Sequence, residues 1–136
     1  MYNDHAYVYV DDEALSREVM ELVMTQAMDV EHLTIWEDST DFLARVEGLT
    51  PRPDVFLLDI RVGPIDGYEM LNLLRDHPDY HCARVVAVTA GVMTEQIRHL
   101  RKAGFDAAVA KPVRVSSFPD VMTRILKGQQ VWFTGS

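Results

Sequence analysis

The stretch Asp54-Val55-Phe56-Leu57-Leu58, closed by Asp59, decides the fold of this chain. The run is too short for a helix and its interior has no polar residue, which is typical of a strand buried on both faces of a parallel sheet. Comparable apolar runs lie at residues 6–10, about 32–36, 85–88 and 107–110. The sequence therefore predicts five short buried strands.

Between these runs, apolar residues recur at the spacing of one helix face. They predict amphipathic helices around residues 15–27, 42–46, 70–74, 97–100 and 121–125. The pair Gly63-Pro64 and, further on, Gly104 mark breaks between elements. Because strands and helices alternate along the whole chain, we predict an α/β fold, with a doubly wound five-stranded parallel sheet and helices on both faces.

The length and composition suit one folded domain. The chain has 136 residues, of which 48% are hydrophobic and 25% are charged, as in ordinary globular proteins. We predict a single domain over residues 1–136, with its core at about 5–127 and a C-terminal tail or linker stub at 128–136. Within that tail, Trp132 and Phe133 could dock on the domain, lead toward an output domain, or contact a partner, and we expect docking.

Charge and cysteine content exclude several functions. A net charge of −8 repels phosphate backbones, so we expect no direct binding of nucleic acid. The single Cys82 cannot form an internal disulfide, and the chain lacks the run of roughly 18 apolar residues that crosses a membrane. We therefore expect a cytoplasmic protein without membrane contact.

Polar residues follow four of the predicted strands directly. Asp11 and Asp12 follow the first strand, Asp59 the third, Thr89 the fourth and Lys111 the fifth. Ligands of open α/β sheets bind outside the carboxyl ends of the strands, where these side chains would meet. The sequence therefore predicts one shared site at that edge of the sheet.

The residue types at this edge favour magnesium and phosphoryl chemistry. Three neighbouring carboxylates raise the pKa of at least one of them unless a cation neutralises the group, and Mg²⁺ prefers such oxygen ligands. Lys111 and the Thr89 hydroxyl can stabilise the charge of a transferring phosphoryl group. Asp59 would then be the nucleophile that forms an aspartyl phosphate, with Asp11 and Asp12 holding the metal.

An ordered set of motifs carries a resemblance to a known family. The motifs are Val10-Asp11-Asp12-Glu13, Leu57-Leu58-Asp59, Asp66-Gly67-Tyr68-Glu69, Val88-Thr89-Ala90 and Ala110-Lys111-Pro112. In this order they resemble the receiver domain of two-component response regulators, and they span most of the chain. The resemblance implies the flavodoxin-like, chemotaxis-regulator-like fold with strand order 2-1-3-4-5.

The same resemblance implies roles for the site residues. Asp59 would accept phosphate from a histidine kinase or a histidine phosphotransfer protein, and Thr89 and Lys111 would contact the phosphoryl group. Magnesium would be held by Asp11, Asp12, Asp59 and the backbone carbonyl of Arg61. The bond between Lys111 and Pro112 would be cis.

The resemblance further implies a signalling domain of a phosphorelay, not an enzyme. Any catalysis would be limited to magnesium-dependent phosphorylation and dephosphorylation of the domain itself. The output would pass through contacts with a downstream protein target or an output domain, and a homodimer stays open.

Two positions depart from the family pattern. The family usually has a proline four residues after the phosphoacceptor, whereas this chain has Gly63, followed by Pro64. It usually has Tyr or Phe three residues before the lysine, whereas this chain has Ala108. We therefore expect an altered loop after Asp59 and an atypical switch without the usual aromatic ring.

Other interpretations stay open. Taken singly, Asp11 and Asp12 could merely cap the first helix. The departures also allow a receiver-shaped interaction module whose binding is independent of phosphorylation. A hydrolase of the haloacid dehalogenase type ranks lower, because it expects a second aspartate two residues after Asp59, where this chain has Arg61.

Overall fold

The computed structural model describes residues 2–91 and 93–132. Over these residues, one parallel sheet has the strand order β2-β1-β3-β4-β5-β6. The strands are β1 Tyr7–Val10, β2 Leu33–Trp36, β3 Val55–Asp59, β4 Arg84–Thr89, β5 Ala107–Ala110 and β6 Val131–Trp132. The helices are α1 Ala14–Leu22, α2 Phe42–Glu47, α3 Gly67–Arg75, α4 Thr94–Ala103 and α5 Phe118–Leu126, with a 3₁₀ turn at Tyr2–Asp4 and a π-helical turn at Val23–Ala27.

The five predicted strands and their alternation with helices are confirmed. The predicted total of five strands and the order 2-1-3-4-5 are wrong, because the described residues form one more strand beyond β5. A sixth strand, β6, pairs with β5, so that Val131 lies opposite Ala107 and Trp132 opposite Ala108. Gly128 follows α5 with a φ of 86°, a conformation that glycine adopts without strain, and turns the chain back. The tail therefore docks through residues 131–132, and Phe133 lies outside the described residues.

The core consists of two layers, one on each face of the sheet. Side chains alternate along a strand, so Tyr7 and Tyr9 of β1 face one layer while Val8 and Val10 face the other. The first layer includes α1 and α5, and the second includes α2, α3 and α4. Every residue of β1 and β3 is buried, which explains their nearly uninterrupted apolar sequence.

The start of α3 determines the path of the loop that follows β3. Asp66 accepts a hydrogen bond from the Glu69 N–H and the Glu69 side chain accepts one from the Asp66 N–H, which together form a capping box. A Cβ atom on Gly67 would lie 2.9 Å from the Cα of Ile60, so only glycine allows this close return of the loop. The loop after Asp59 is thus short and closely packed.

Among the described residues, none of the helices combines the length and the apolar character needed to cross a lipid bilayer.

Candidate functional site

Three carboxylates meet at the carboxyl ends of β1 and β3. Asp11 continues β1, because its N–H donates to the carbonyl of Trp36 at 3.0 Å, and Asp59 is the last residue of β3. Asp11 is 0% exposed and Asp59 is 4% exposed, whereas Asp12 faces solvent. One oxygen from each of the three lies within 4.8 Å of the others. The structure thus brings the predicted acidic residues together.

Lys111 reaches this group from the end of β5. Its Nζ lies 3.2 Å from Asp11 Oδ2, 3.3 Å from Asp59 Oδ2 and 2.9 Å from Glu13 Oε1. Burial alone would lower the pKa of Lys111, but the hydrogen bond with Glu13 and the charges of Asp11 and Asp59 raise it. The hydrogen bond from Lys111 also lowers the pKa of Glu13. Lys111 therefore keeps its positive charge in the midst of four carboxylates.

The carboxyl of Asp59 has an unfavourable environment for its charge. Burial, and then the charge of Asp11, raise its pKa, while the Arg61 N–H at 3.1 Å from Asp59 Oδ1 and the Lys111 ammonium offset part of this rise. Arg61 itself is exposed, and its carbonyl remains a predicted metal ligand. Asp59 is thus a buried carboxylate that further positive charge would stabilise.

Thr89 ends β4 beside this group. Its carbonyl accepts a hydrogen bond from the Lys111 N–H at 2.9 Å. Its hydroxyl oxygen accepts hydrogen bonds from the Gly91 N–H at 3.1 Å and from Gln96 Nε2 at 3.4 Å. The Thr89 backbone is therefore tied to Lys111, while its hydroxyl is tied to the first turn of α4.

The first departure from the family pattern is the pair Gly63-Pro64 in the loop after Asp59. The bonds between Gly63 and Pro64 and between Lys111 and Pro112 are both cis, which confirms the prediction for Lys111. The loop after Asp59 is held by Ser39, whose N–H donates to the Gly63 carbonyl at 3.0 Å and whose hydroxyl oxygen accepts from the Ile65 N–H at 2.9 Å.

The second departure, Ala108, is buried and lies beside an aromatic residue of the tail. Trp132 pairs with Ala108 across β5 and β6, and its indole packs against the same core layer. The guanidinium of Arg101, in the last turn of α4, lies 5.3 Å from the centroid of the Trp132 ring, within range of a cation–π contact. An aromatic ring thus stands close to this position, but it comes from the tail.

Sequence reasoning missed the site roles of Glu13, Gln96 and Tyr9, of which Tyr9 is the most deeply buried. The hydroxyl of Tyr9 donates a hydrogen bond to Asp11 Oδ2, and the side chain is buried inside the first core layer. Burial, followed by the hydrogen bond with Asp11, raises the pKa of Tyr9. The available signal was that Tyr9 and Asp11, two residues apart, point to the same face of an extended chain.

The donor set suits a hard divalent cation. Asp11, Asp12 and Asp59 offer carboxylate oxygens, the ligand type that Mg²⁺ prefers, and the exposed Asp12 leaves room for metal-bound water. With Glu13 the group carries four carboxylates, and the ammonium of Lys111 contacts three of them. The residues present are therefore compatible with Mg²⁺.

Comparisons with curated proteins point to response regulators. The chain is 32% identical over 75 residues to the polar-differentiation response regulator DivK of Brucella anthropi, which covers 55% of this chain. It is 31% identical over 74 residues to DivK of Brucella ovis, which covers 54% of this chain. The aligned part spans 61% and 60% of the length of these two relatives.

Solved structures share the fold. The chemotaxis response regulator CheY4 of Vibrio cholerae superimposes with a TM-score of 0.78 at 18% identity, over 89% of this chain and 98% of that one. A CheY-like receiver domain protein from Methanospirillum hungatei gives 0.73 at 20% identity, over 90% and 94%. The family model of the response regulator receiver domain matches residues 8–123. The chain therefore belongs to the response regulator receiver domain family.

Proposed function

We propose that this domain accepts a phosphoryl group on Asp59, with Mg²⁺ bound by Asp11, Asp12, Asp59 and the Arg61 carbonyl, and passes the signal on through protein contacts. One observation carries the proposal. The buried Asp59 carboxylate lies within reach of the Lys111 ammonium, 3.3 Å away, and in the same cluster as Asp11 and Asp12. This combination supports a nucleophile, a phosphoryl-binding cation and a metal site in one place.

The residues suggest how the transfer would proceed. A carboxylate oxygen of Asp59 forms a bond to phosphorus, while the bond from phosphorus to the imidazole nitrogen of the donor breaks and that nitrogen leaves with the electron pair. Lys111 exchanges its contact with Asp59 Oδ2 for one with a phosphoryl oxygen, and the Thr89 hydroxyl turns from Gln96 to donate to another. Bound Mg²⁺ would supply the charge neutralisation that the carboxylates and the phosphoryl group require together.

The surroundings of the site suit a protein as phosphodonor. Leu15 at the start of α1 is 70% exposed and Met93 just before α4 is 75% exposed. The groove between Leu15 and Pro112 is largely apolar and opens directly beside Lys111. Exposed apolar side chains around a reactive group are a common mark of a docking surface. We therefore propose a histidine kinase or a histidine phosphotransfer protein as the donor.

The departure at Ala108 shapes the output part of the proposal. The phosphoryl group would draw the Thr89 hydroxyl away from Gln96 and so act on the first turn of α4. The last turn of the same helix carries Arg101, which contacts Trp132 of the tail. We propose an atypical switch that acts through α4 on a downstream protein or output domain. A cytoplasmic location belongs to the same proposal, which the single, free Cys82 supports.

Incubation with Mg²⁺ and acetyl phosphate, followed by intact mass spectrometry, tests the chemistry. We expect the wild-type protein to gain the mass of one phosphoryl group, and chelation of Mg²⁺ or the variant Asp59→Asn to abolish the gain. Asp54→Asn is the matched control, because Asp54 directly precedes the same strand, at the end opposite Asp59, where it contacts His5. A gain that persists in Asp59→Asn contradicts the proposal.

A second candidate is favoured by Ala108 and by the existing contact between Thr89 and Gln96, namely an interaction module that binds its partner regardless of phosphorylation. In that case the wild-type protein treated with Mg²⁺ and acetyl phosphate would bind the partner with the same affinity as the untreated protein. A large difference between the two, absent in Asp59→Asn, contradicts this second candidate.

A further inference from the structure

We propose that Tyr9 is a positioning residue of the metal site: its hydroxyl holds the carboxylate of Asp11 in the orientation that binds Mg²⁺. The inference rests on the proposed function, because it concerns how the same site binds the metal. The observation that prompts it is the hydrogen bond from the Tyr9 hydroxyl to Asp11 Oδ2, made in the interior of the protein.

Both partners of this bond are fully enclosed. Tyr9 is 1% exposed and Asp11 is 0% exposed, so solvent supplies neither of them with an alternative partner. The ring of Tyr9 packs in the core layer that α1 and α5 cover, which fixes its position. A phenol held in this way is a rigid donor aimed at one carboxylate oxygen.

A comparison within β1 separates this role from ordinary packing. Tyr7 faces the same core layer and is equally buried, but its hydroxyl donates to the backbone carbonyl of Tyr2 at 2.9 Å, away from the site. Both hydroxyls satisfy the rule that buried polar groups find a partner. Only Tyr9 uses its hydroxyl on a residue of the acidic cluster, so the two tyrosines form a natural pair of test and control.

The oxygens of Asp11 have a full set of partners. Oδ1 accepts from the Glu13 N–H at 2.9 Å and faces Lys111 Nζ at 3.3 Å, while Oδ2 accepts from Tyr9 and faces Lys111 Nζ at 3.2 Å. A carboxylate offers about four acceptor positions, so all of them are in use. A position for a metal, or for water bound to it, becomes free when Lys111 leaves Asp11 and keeps its contacts with Glu13 and Asp59.

The hydroxyl of Tyr9 matters most at that moment. Once Lys111 has turned away, the Glu13 N–H and the Tyr9 hydroxyl remain as donors that fix the plane of the Asp11 carboxylate. Without the hydroxyl, the Glu13 N–H on Oδ1 is the one donor of this pair that remains, and the carboxylate can rotate out of the metal-binding orientation. Loss of such an outer partner of a metal ligand typically weakens metal binding by about 10- to 100-fold.

Calorimetric titration with Mg²⁺ tests the inference on the purified domain. We expect Tyr9→Phe, which keeps the buried ring, to weaken Mg²⁺ binding by about tenfold. Tyr7→Phe, which removes the equivalent hydroxyl from the same strand, should leave Mg²⁺ affinity unchanged. Equal affinities of Tyr9→Phe and the wild-type protein would overturn the inference, as would equal losses in both variants.

A double-mutant cycle separates positioning from a general effect on folding. In the background Asp11→Asn, Tyr9→Phe should no longer change Mg²⁺ affinity, because the carboxylate on which the hydroxyl acts is gone. An undiminished effect in that background overturns the inference. Failure of the wild-type protein to bind Mg²⁺ would overturn the proposed function as well, whereas wild-type binding that is insensitive to Tyr9→Phe overturns only the role of Tyr9.

Discussion

The two sides of the site are built differently. On the acidic side, formed by Asp11, Asp12 and Asp59, two carboxylates are buried and held by neighbours within a few residues or by Lys111. On the tail side, formed by Thr89, Ala108 and Trp132, the hydroxyl is tied to α4 and the aromatic ring comes from the C-terminal strand. In the proposed function, the chemistry would therefore depend on residues that follow or end the strands β1, β3 and β5, while the output would depend on a ring that the C-terminal strand places beside Ala108.

Removal of the cation should have the largest effect, because Lys111 joins the acidic side to the end of β5. We expect Lys111→Met to lower the rate of phosphorylation by acetyl phosphate by about 100-fold or more, since it removes the group that would stabilise the phosphoryl charge. Lys102→Met, at the exposed end of α4, is the control and should keep the wild-type rate. A near-normal rate in Lys111→Met would contradict the proposal that Lys111 stabilises the charge of the phosphoryl group.

A larger side chain at Ala108 should damage the tail side and spare the chemistry. Ala108 is buried next to Trp132, so we expect Ala108→Phe to overpack this region and lower the free energy of unfolding by about 1–3 kcal/mol. Urea unfolding measures this loss. Phosphorylation by acetyl phosphate should continue at nearly the wild-type rate. A much lower rate in a folded variant would show that the acidic side depends on the packing of the tail side.

Truncation of the tail aromatic should have a smaller effect of the same kind. We expect Trp132→Ala to lower the free energy of unfolding by about 1 kcal/mol, because the half-buried ring loses its packing and its contact with Arg101. Trp132→Phe retains a ring and should lose less. Equal free energies of unfolding of Trp132→Ala and the wild-type protein would mean that the Trp132 ring does not stabilise the domain.

The smallest effect concerns the pH dependence of stability without metal. The pKa of folded Asp59 lies above its reference value of 3.8, so between these two values the folded state binds more protons than the unfolded state. The free energy of unfolding contributed by Asp59 therefore falls as the pH rises through that window. Because other carboxyls contribute with the opposite sign, urea unfolding should show that the stability of Asp59→Asn rises more, or falls less, with pH than that of the wild-type protein. Parallel profiles of the two proteins would contradict the raised pKa.

Much of the fold and the acidic side could be predicted from the sequence. The strand formed by Val55–Asp59 has a continuous apolar pattern, and a residue that ends a parallel strand must lie at the shared edge of the sheet. Asp11 and Lys111 follow their strands in the same way. Their approach to one another is therefore a consequence of topology, which short patterns reveal.

The parts that escaped prediction depend on features without a periodic signal. The strand Val131–Trp132 has two residues, too few to show alternation. It is recognised only by its pairing with β5 at the edge of the sheet. The role of Tyr9 depends on where one hydroxyl points, and an apolar run does not distinguish that from packing. The contact between Thr89 and Gln96 likewise depends on the path of the loop into α4.

The central claim is that Asp59 carries the phosphoryl group. Borohydride reduction of the protein after treatment with Mg²⁺ and acetyl phosphate converts a phosphorylated aspartate to homoserine, and peptide mass spectrometry then locates it. We predict homoserine at position 59 and only when Mg²⁺ is present. Homoserine at position 11 or 12, or none at position 59 in a folded protein, would contradict the account.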